Sequence, residues 1–156
     1  MKPAGSFSFP DTGDDRFCCN GAGADAVTVA HLRDEFARWL RRGGGIDETT
    51  VCDIVLAVNE ALANSAEFAY SESGAGTVDL EAARDRSRRT ITVTVSDQGR
   101  WRETNPLERQ RSRGRGIPLM RTLADSVIID TSGLGTSVCL RFDDALVPER
   151  VSVGLG

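Results

Sequence analysis

A chain of 156 residues fits one domain, because domains commonly span about 100–200 residues, and this length holds a core without disulfides. The formal net charge of −4 argues against direct nucleic-acid binding, since phosphate binding requires a basic surface. Lys2 is the only lysine among the 19 lysine and arginine residues. This excludes a G-x-x-x-x-G-K-[ST] loop and leaves arginines, backbone amides or a metal to hold any phosphate.

Targeting signals are missing from the sequence. The first residues lack the charged-then-apolar pattern of a secretion signal, and no run approaches the roughly 18 apolar residues of a membrane span. We therefore expect a cytoplasmic protein without a membrane partner. The cysteines show no C-x-x-C pair, and buried reduced thiols are their expected state: Cys18, Cys19, Cys52 and Cys139.

One domain is predicted over residues 16–143. Residues 1–15 are predicted to form a flexible arm, and residues 144–156 a C-terminal tail. The short apolar stretch RFCCN opens the domain as an edge strand.

Two helices are predicted next. Apolar residues three and four positions apart predict the first helix, which the glycines at 43–45 end: Val29, Leu32, Phe36 and Leu40. Asp47 is the predicted N-cap of the second helix. That helix runs to about Tyr70, with an apolar stripe made of Val51, Ile54, Val55, Val58 and Leu62, continued by Ala66 and Ala69.

The second half of the chain is predicted to form mainly strands. TVDLEAAR and RTITVTVSD alternate apolar and polar residues and predict two strands, joined at DRSRR by a hairpin whose arginines are expected to be solvated. Residues 98–116 carry six arginines without periodicity, and such long loops are often lids. A helix at GIPLMRTLA and a hairpin of SVIIDT and GTSVCLRFD follow. This order predicts an α+β sandwich, with a mixed, mostly antiparallel sheet that carries helices on one face.

Glu60 and Asn64 lie one turn apart on the second helix, away from its apolar stripe. Ala57 and Ala61 lie between them and the stripe, and such small residues are expected to leave room for a ligand. A partly buried helix that touches a loop is the alternative. Glu60 is a candidate general base. The side-chain oxygen of Asn64 suits Mg²⁺, which takes few protein oxygens and completes its shell with water and phosphate.

A carboxylate and a glycine directly follow the second predicted strand in VSDQG. Asp97 could accept a hydrogen bond from an exocyclic amine, and Gly99 would let a flat ring approach the backbone. An ordinary turn is the alternative. Thr136 lies in a later glycine-rich stretch, GLGT, which hairpin chemistry alone also explains.

A further glycine pair, Gly114 and Gly116, precedes the helix predicted at GIPLMRTLA. The free amides and the positive dipole end of a helix start can bind an anion, and Arg113 and Arg115 add charge. A plain helix-entry turn is the alternative.

Four motifs follow one another along the chain: NEALANSAEFAY, DQG, GRGIPLM and GLGT. They resemble the N box and the three glycine boxes of the Bergerat-fold ATPases, the GHKL superfamily that includes gyrase and histidine kinases. Within it the chain is most similar to the bacterial anti-sigma factor/serine-protein kinase family. The resemblance covers roughly residues 16–143 and implies a histidine-kinase-like ATPase domain with the Bergerat α/β sandwich.

The resemblance also implies roles for individual residues. Glu60 would be the catalytic base that activates the attacking hydroxyl, and Asn64 would bind Mg²⁺. Asp97 would accept from the adenine amino group, with room provided by Gly99 and help from the Thr136 hydroxyl. Residues 100–115 would be an ATP lid, and the phosphate-binding residues would be Arg113, Gly114, Arg115, Gly116 and Ile117.

The function that the resemblance implies is an ATP-binding anti-sigma factor. Such a protein sequesters a sigma factor and uses Mg-ATP to phosphorylate Ser or Thr on a STAS-type anti-anti-sigma antagonist; a homodimer is also implied. Phe68 stands where the family's N box commonly has histidine. It supports an alternative hypothesis, a nucleotide-binding interaction module with little or no kinase activity. A histidine-kinase catalytic domain is a third, less favoured hypothesis.

Overall fold

The computed structural model describes residues 15–70, 76–97, 117–132 and 135–147, with the backbone alone for 66–70 and 132. These ranges contain five strands and three helices. In chain order they are β1 Arg16–Gly23, α1 Ala26–Arg42, α2 Glu48–Tyr70, β2 Thr77–Asp85, β3 Thr90–Asp97, α3 at 117–123, β4 Ser126–Ser132 and β5 Gly135–Phe142. Each predicted helix and strand is confirmed, with bounds shifted by at most three residues.

The five strands form a single sheet in the order β1-β2-β3-β5-β4. All four pairings between described strands are antiparallel. β1 is an edge strand, as predicted, and the register pairs Ser132 with Gly135 where β4 turns into β5. The predicted α+β fold is therefore confirmed, and its described part contains antiparallel pairs only.

The core lies between one face of the sheet and the helices. Alternate residues of β3 are buried, at Ile91, Val93 and Val95. α1 packs on β1 and α2 on β2, β3 and β5, while Met120 of α3 belongs to the same core. The prediction of helices on one face is confirmed. Within the described ranges, no helix is long and apolar enough to cross a membrane.

Aspartates cap the starts of α1 and α2. The Asp25 carboxylate accepts from the backbone N–H and the hydroxyl of Thr28, both at 2.8 Å, and these bonds lower its pKa. The Asp47 carboxylate accepts from the Thr50 N–H at 2.8 Å, which confirms the predicted N-cap. Hydrogen bonding to the ionised form also lowers the pKa of Asp47.

Arg84 is a buried cation that the sequence motifs did not single out. Its guanidinium donates to the carbonyls of Trp39 and Leu40 at 3.4 and 3.2 Å and lies 4.7 Å from the Trp39 ring centroid. It therefore ties β2 to the last turn of α1. A signal was present, because Arg84 continues the period-two alternation of Val78, Leu80 and Ala82, which all face the core.

The β2–β3 hairpin departs in part from its prediction. Arg86 and Arg88 are exposed, as expected. Arg89 is half-buried, and its Nε donates to the Leu146 carbonyl at 2.8 Å. The expectation of three solvated arginines is wrong for Arg89, because the chain after β5 folds back against this turn.

The predicted tail begins inside the packed structure. Ala145 and Leu146 are buried in the core cluster, and the Val147 N–H donates to the Gly45 carbonyl at 2.6 Å. The packed domain therefore continues past residue 143 to at least Val147.

The four cysteines are all free thiols. Burial was expected for all of them and holds for Cys19 alone. Cys52 is exposed on α2, while Cys18 and Cys139 are half-buried. The difference follows from alternation, because Cys18 and Cys139 point to the sheet face away from the core.

Candidate functional site

A buried carboxylate and a buried hydroxyl face each other at one end of the sheet. Asp97 is the last residue of β3 and Thr136 the second residue of β5, and the register places them directly opposite. Both lie on the helix side and are 6% and 9% exposed. The Thr136 N–H donates to the Asp97 carboxylate at 3.4 Å. Two polar residues thus lie together at the end of a face whose neighbouring positions on β3 are apolar.

The Thr136 hydroxyl stands out at this position. Its oxygen is buried and has no hydrogen-bond partner within the described part of the chain. A buried polar group without a partner costs about 1–3 kcal/mol, so folded proteins rarely keep one without a reason. A ligand with a hydrogen-bonding group at this position would remove that cost.

α2 is long enough to bring Asn64 to the same end of the sheet. The start of α2 is fixed near the opposite end, since Gly45 bonds to Val147 and the neighbouring Leu146 bonds to Arg89, just before β3. From Glu48 to Asn64 the helix rises about 24 Å, while the eight residues of β3 advance about 23 Å. α2 packs on β3 and β5, so a helix that follows these strands would bring Asn64 level with Asp97.

The two borders of α2's buried face have different neighbours. On one border, the Arg33 guanidinium of α1 donates to the Asn59 side-chain oxygen at 3.2 Å. Asn64 is about 140° around the helix from Asn59 and lies on the other border, with Glu60 one turn earlier; both are half-buried. Motif reasoning missed Arg33 and Asn59. Their contact shows that the Glu60–Asn64 side of α2 is turned away from α1.

The expectation that Ala57 and Ala61 leave room for a ligand is wrong. Both are completely buried in the main core. The buried face of α2 is wider than the stripe of branched residues indicated, because it packs against both α1 and the sheet. Small side chains here permit that close packing, and a ligand would meet Glu60 and Asn64 without lying on the alanines.

Several predicted site residues lie outside the described residues. They are Gly99, Arg113, Gly114, Arg115 and Gly116, together with the Phe68 side chain and the lid at 100–115. Ile117 is described: it begins the helical range of α3 and packs partly buried against the core. α3 is followed by Asp125, whose N–H bonds to the Arg141 carbonyl. The end of α3 is therefore far from Asp97.

The chemistry of the described site suits a ligand that carries a hydrogen-bond donor such as an exocyclic amine. The buried Asp97 carboxylate can accept from an exocyclic amine, and the Thr136 hydroxyl can donate or accept. Among the described residues, no group of three or more His, Cys, Asp or Glu side chains is placed to hold a metal ion. A Mg²⁺ ion at Asn64 would then take its other ligands from water and phosphate oxygens, which is its usual preference.

Residues 22–142 match the family described as the histidine kinase-like ATPase domain. The chain belongs to that family. No curated protein matches the chain.

Solved structures agree with this fold. The chain is similar to the crystal structure of the RsbU and RsbW domains of Rv1364c from Mycobacterium tuberculosis, with a TM-score of 0.64 and 21% identity over 82% of this chain and 32% of that one. It is also similar to the blue-light activated histidine kinase EL346 of Erythrobacter litoralis, with a TM-score of 0.51 and 23% identity over 80% of this chain and 42% of that one. The chain thus spans less than half the length of either protein.

Proposed function

We propose that this protein is an ATP-binding anti-sigma factor that phosphorylates a protein antagonist. The observation that carries the nucleotide part is the buried Asp97–Thr136 pair, whose hydroxyl lacks a partner within the described residues. Membership of the histidine kinase-like ATPase family supports ATP as the ligand. Likeness in fold to a structure that includes an RsbW domain supports a regulatory kinase of the anti-sigma type.

Each described site residue has a role in this proposal. Asp97 accepts from the adenine amino group, Thr136 adds its hydroxyl, and Asn64 contributes one oxygen to Mg²⁺. Bound Mg-ATP supplies the phosphoryl group to be transferred. Glu60, one turn before Asn64, takes the proton from the attacking Ser or Thr hydroxyl. The phosphates are assigned to the stretch Arg113, Gly114, Arg115, Gly116 and Ile117, with Gly99 next to the base.

ATP binding is tested by thermal shift with Mg-ATP. We expect wild type to gain thermal stability, because a ligand that binds only the folded state stabilises it. Asp97→Asn should lose most of that gain, since an amide cannot supply the same acceptor. Asp130→Asn is the matched control, because Asp130 is exposed on β4 and should leave the gain unchanged. A wild type that gains nothing, or an Asp97→Asn variant that gains as much, refutes the nucleotide site.

Phosphoryl transfer is tested separately with Glu60→Gln. A general base contributes about 10²–10⁴-fold, so the variant should lose transfer to the antagonist by roughly that factor while it binds ATP like wild type. Transfer at the wild-type rate would remove Glu60 from this role.

A second candidate function follows from Phe68, which stands where the N box of similar proteins commonly has histidine. The alternative is a nucleotide-binding interaction module with little or no kinase activity. Labelled ATP and a cognate antagonist separate the two: bound ATP without transfer favours the module. In that case Phe68→His is the informative variant, because gained transfer would assign the lost activity to this residue.

The proposed partners are a sigma factor, a STAS-type anti-anti-sigma protein and a second copy of the chain, in the cytoplasm. Pull-downs from the native host with and without Mg-ATP test the first two. We expect a sigma factor to be captured by wild type and to be lost, or to change in yield, with Asp97→Asn.

A further inference from the structure

The core face of α2 changes from apolar to polar at Ser65. The branched residues before it on this face are all at most 1% exposed: Val51, Ile54, Val58 and Leu62. Ser65 continues their line, because the seven residues from Val58 make nearly two full turns of the helix. It is itself only 4% exposed. The centre of the buried face therefore presents a hydroxyl where its earlier turns present branched apolar side chains.

The sheet changes in the same way on the two strands that carry Asp97 and Thr136. The register pairs Val95 of β3 with Val138 of β5, and the next row on the helix side pairs Asp97 with Thr136. All four side chains are buried. An apolar row is thus followed by a polar row at the end of the sheet. α2 packs on both strands, so each layer of the core has its own change from apolar to polar.

Helix length brings the two changes together. Ser65 is one residue beyond Asn64, or about 1.5 Å further along the axis, so a helix that follows β3 and β5 would bring it level with Asp97. Asn64 lies about 100° around the helix from Ser65, at the half-buried border of the face. Ser65, at the centre of the buried face, is therefore directed toward the sheet, while Asn64 lies beside it at the edge of the same end.

Buried polar side chains concentrate at this end. Within the described ranges, four polar or charged residues are buried. Arg84 is one of them and lies under the end of α1; the other three are Ser65, Asp97 and Thr136. Burial of a polar group costs free energy unless the group is hydrogen-bonded, so three such groups at one end of the core favour a bound ligand that contacts all of them.

Taking ATP as the ligand, as the proposed function does and as this inference requires, we propose that the Ser65 hydroxyl donates a hydrogen bond to a ring nitrogen of adenine. Adenine carries an amino donor with acceptor ring nitrogens beside it. An ionised carboxylate only accepts, so Asp97 serves the amino group and cannot serve the ring nitrogens. A hydroxyl can donate, and Ser65 supplies one from the helix as Thr136 does from the sheet.

Calorimetric titration with Mg-ADP measures this contact in Ser65→Ala. We expect the affinity to fall about fivefold, the factor that one hydrogen bond provides. The Tm of the free protein should stay the same or rise, because alanine has a higher helix propensity than serine. Ser96→Ala is the matched control and should bind like wild type. It makes the same change one residue before Asp97, but Ser96 lies on the opposite face of the sheet, where its hydroxyl bonds to that of Ser137 at 3.3 Å.

Titration with ADP in EDTA instead of Mg²⁺ separates a base contact from an effect transmitted through Asn64 and a metal. An equal loss of affinity in both conditions supports the contact, and a loss seen only with Mg²⁺ overturns it. A Ser65→Ala variant that binds ADP like wild type also overturns it and leaves the proposed nucleotide site intact; the hydroxyl then has a structural role, such as a bond back to the Ala61 carbonyl. A wild type that binds no ADP refutes the proposed function and this contact together.

Discussion

Replacing Thr136 by valine should raise the free energy of unfolding of the free protein and lower its affinity for ATP. Valine keeps the shape of threonine and removes the buried hydroxyl that has no partner within the described residues. If that hydroxyl contacts ATP, its removal stabilises the free protein and destabilises the complex with ATP. A residue with a purely structural role would not produce effects of opposite sign.

The expected magnitudes follow from the burial of this group. An unsatisfied buried polar group costs about 1–3 kcal/mol, so Thr136→Val should raise the free energy of unfolding of the free protein by at least about 1 kcal/mol. For a chain of this size, that raises the Tm by about 2–4 °C. The complex loses one hydrogen bond of about 1 kcal/mol. The two changes together weaken ATP binding by about 2 kcal/mol, or roughly 30-fold.

Urea unfolding without ligand and calorimetric titration with Mg-ATP measure the two effects. Thr131→Val is the matched control, because Thr131 pairs with Thr136 on the neighbouring strand and is exposed; its free energy of unfolding should change by no more than about 0.5 kcal/mol. A destabilised Thr136→Val protein would show that the hydroxyl already has a partner. Unchanged ATP affinity would show that the hydroxyl does not contact the nucleotide.

Three further predictions concern stability and thiol chemistry. Gly43 has φ −69°, which any residue adopts, yet an added Cβ would collide with the Arg84 guanidinium. Gly43→Ala should therefore lower the free energy of unfolding in urea by about 2 kcal/mol, because the hydrogen bonds of Arg84 are displaced. An equal loss in an Arg84→Ala background would contradict this coupling. The pKa of Asp25 is lowered from 3.8 by hydrogen bonds from Thr28, so its stabilisation is present above pH 3.8 and is lost as the pH falls through the lowered pKa. Asparagine caps a helix about as well, so Asp25→Asn should match wild type at pH 7 and lose less stability in acid, and parallel pH profiles would refute the assignment. Alkylation followed by mass spectrometry should modify the exposed Cys52 first and Cys19 last, because burial raises the pKa of the Cys19 thiol; early labelling of Cys19 would show that β1 opens readily.

Local rules were enough to locate the helices and strands. Period-two alternation found β2 and β3, spacings of three and four found α1, and Asp47 marked the start of α2. These signals depend on neighbours within a few residues, so they can be read without the fold. The candidate site came from the resemblance of the four boxes to a known family, and its residues stay a prediction. Two of these candidates, Asp97 and Thr136, are brought opposite each other by the register of β3 and β5.

The surroundings of the candidate residues became clear only from the tertiary structure. The amino-acid pattern was sufficient for the elements, the family resemblance and a set of candidate residues: Glu60, Asn64, Asp97 and Thr136. Only the packed structure showed that Ala57 and Ala61 belong to the core, that Arg84 is a buried cation under the end of α1, and that Leu146 closes the far end of the domain. The physical reason is that burial depends on contacts between residues far apart in sequence. Arg84 and Trp39 are 45 positions apart, and no local sequence pattern predicts their contact.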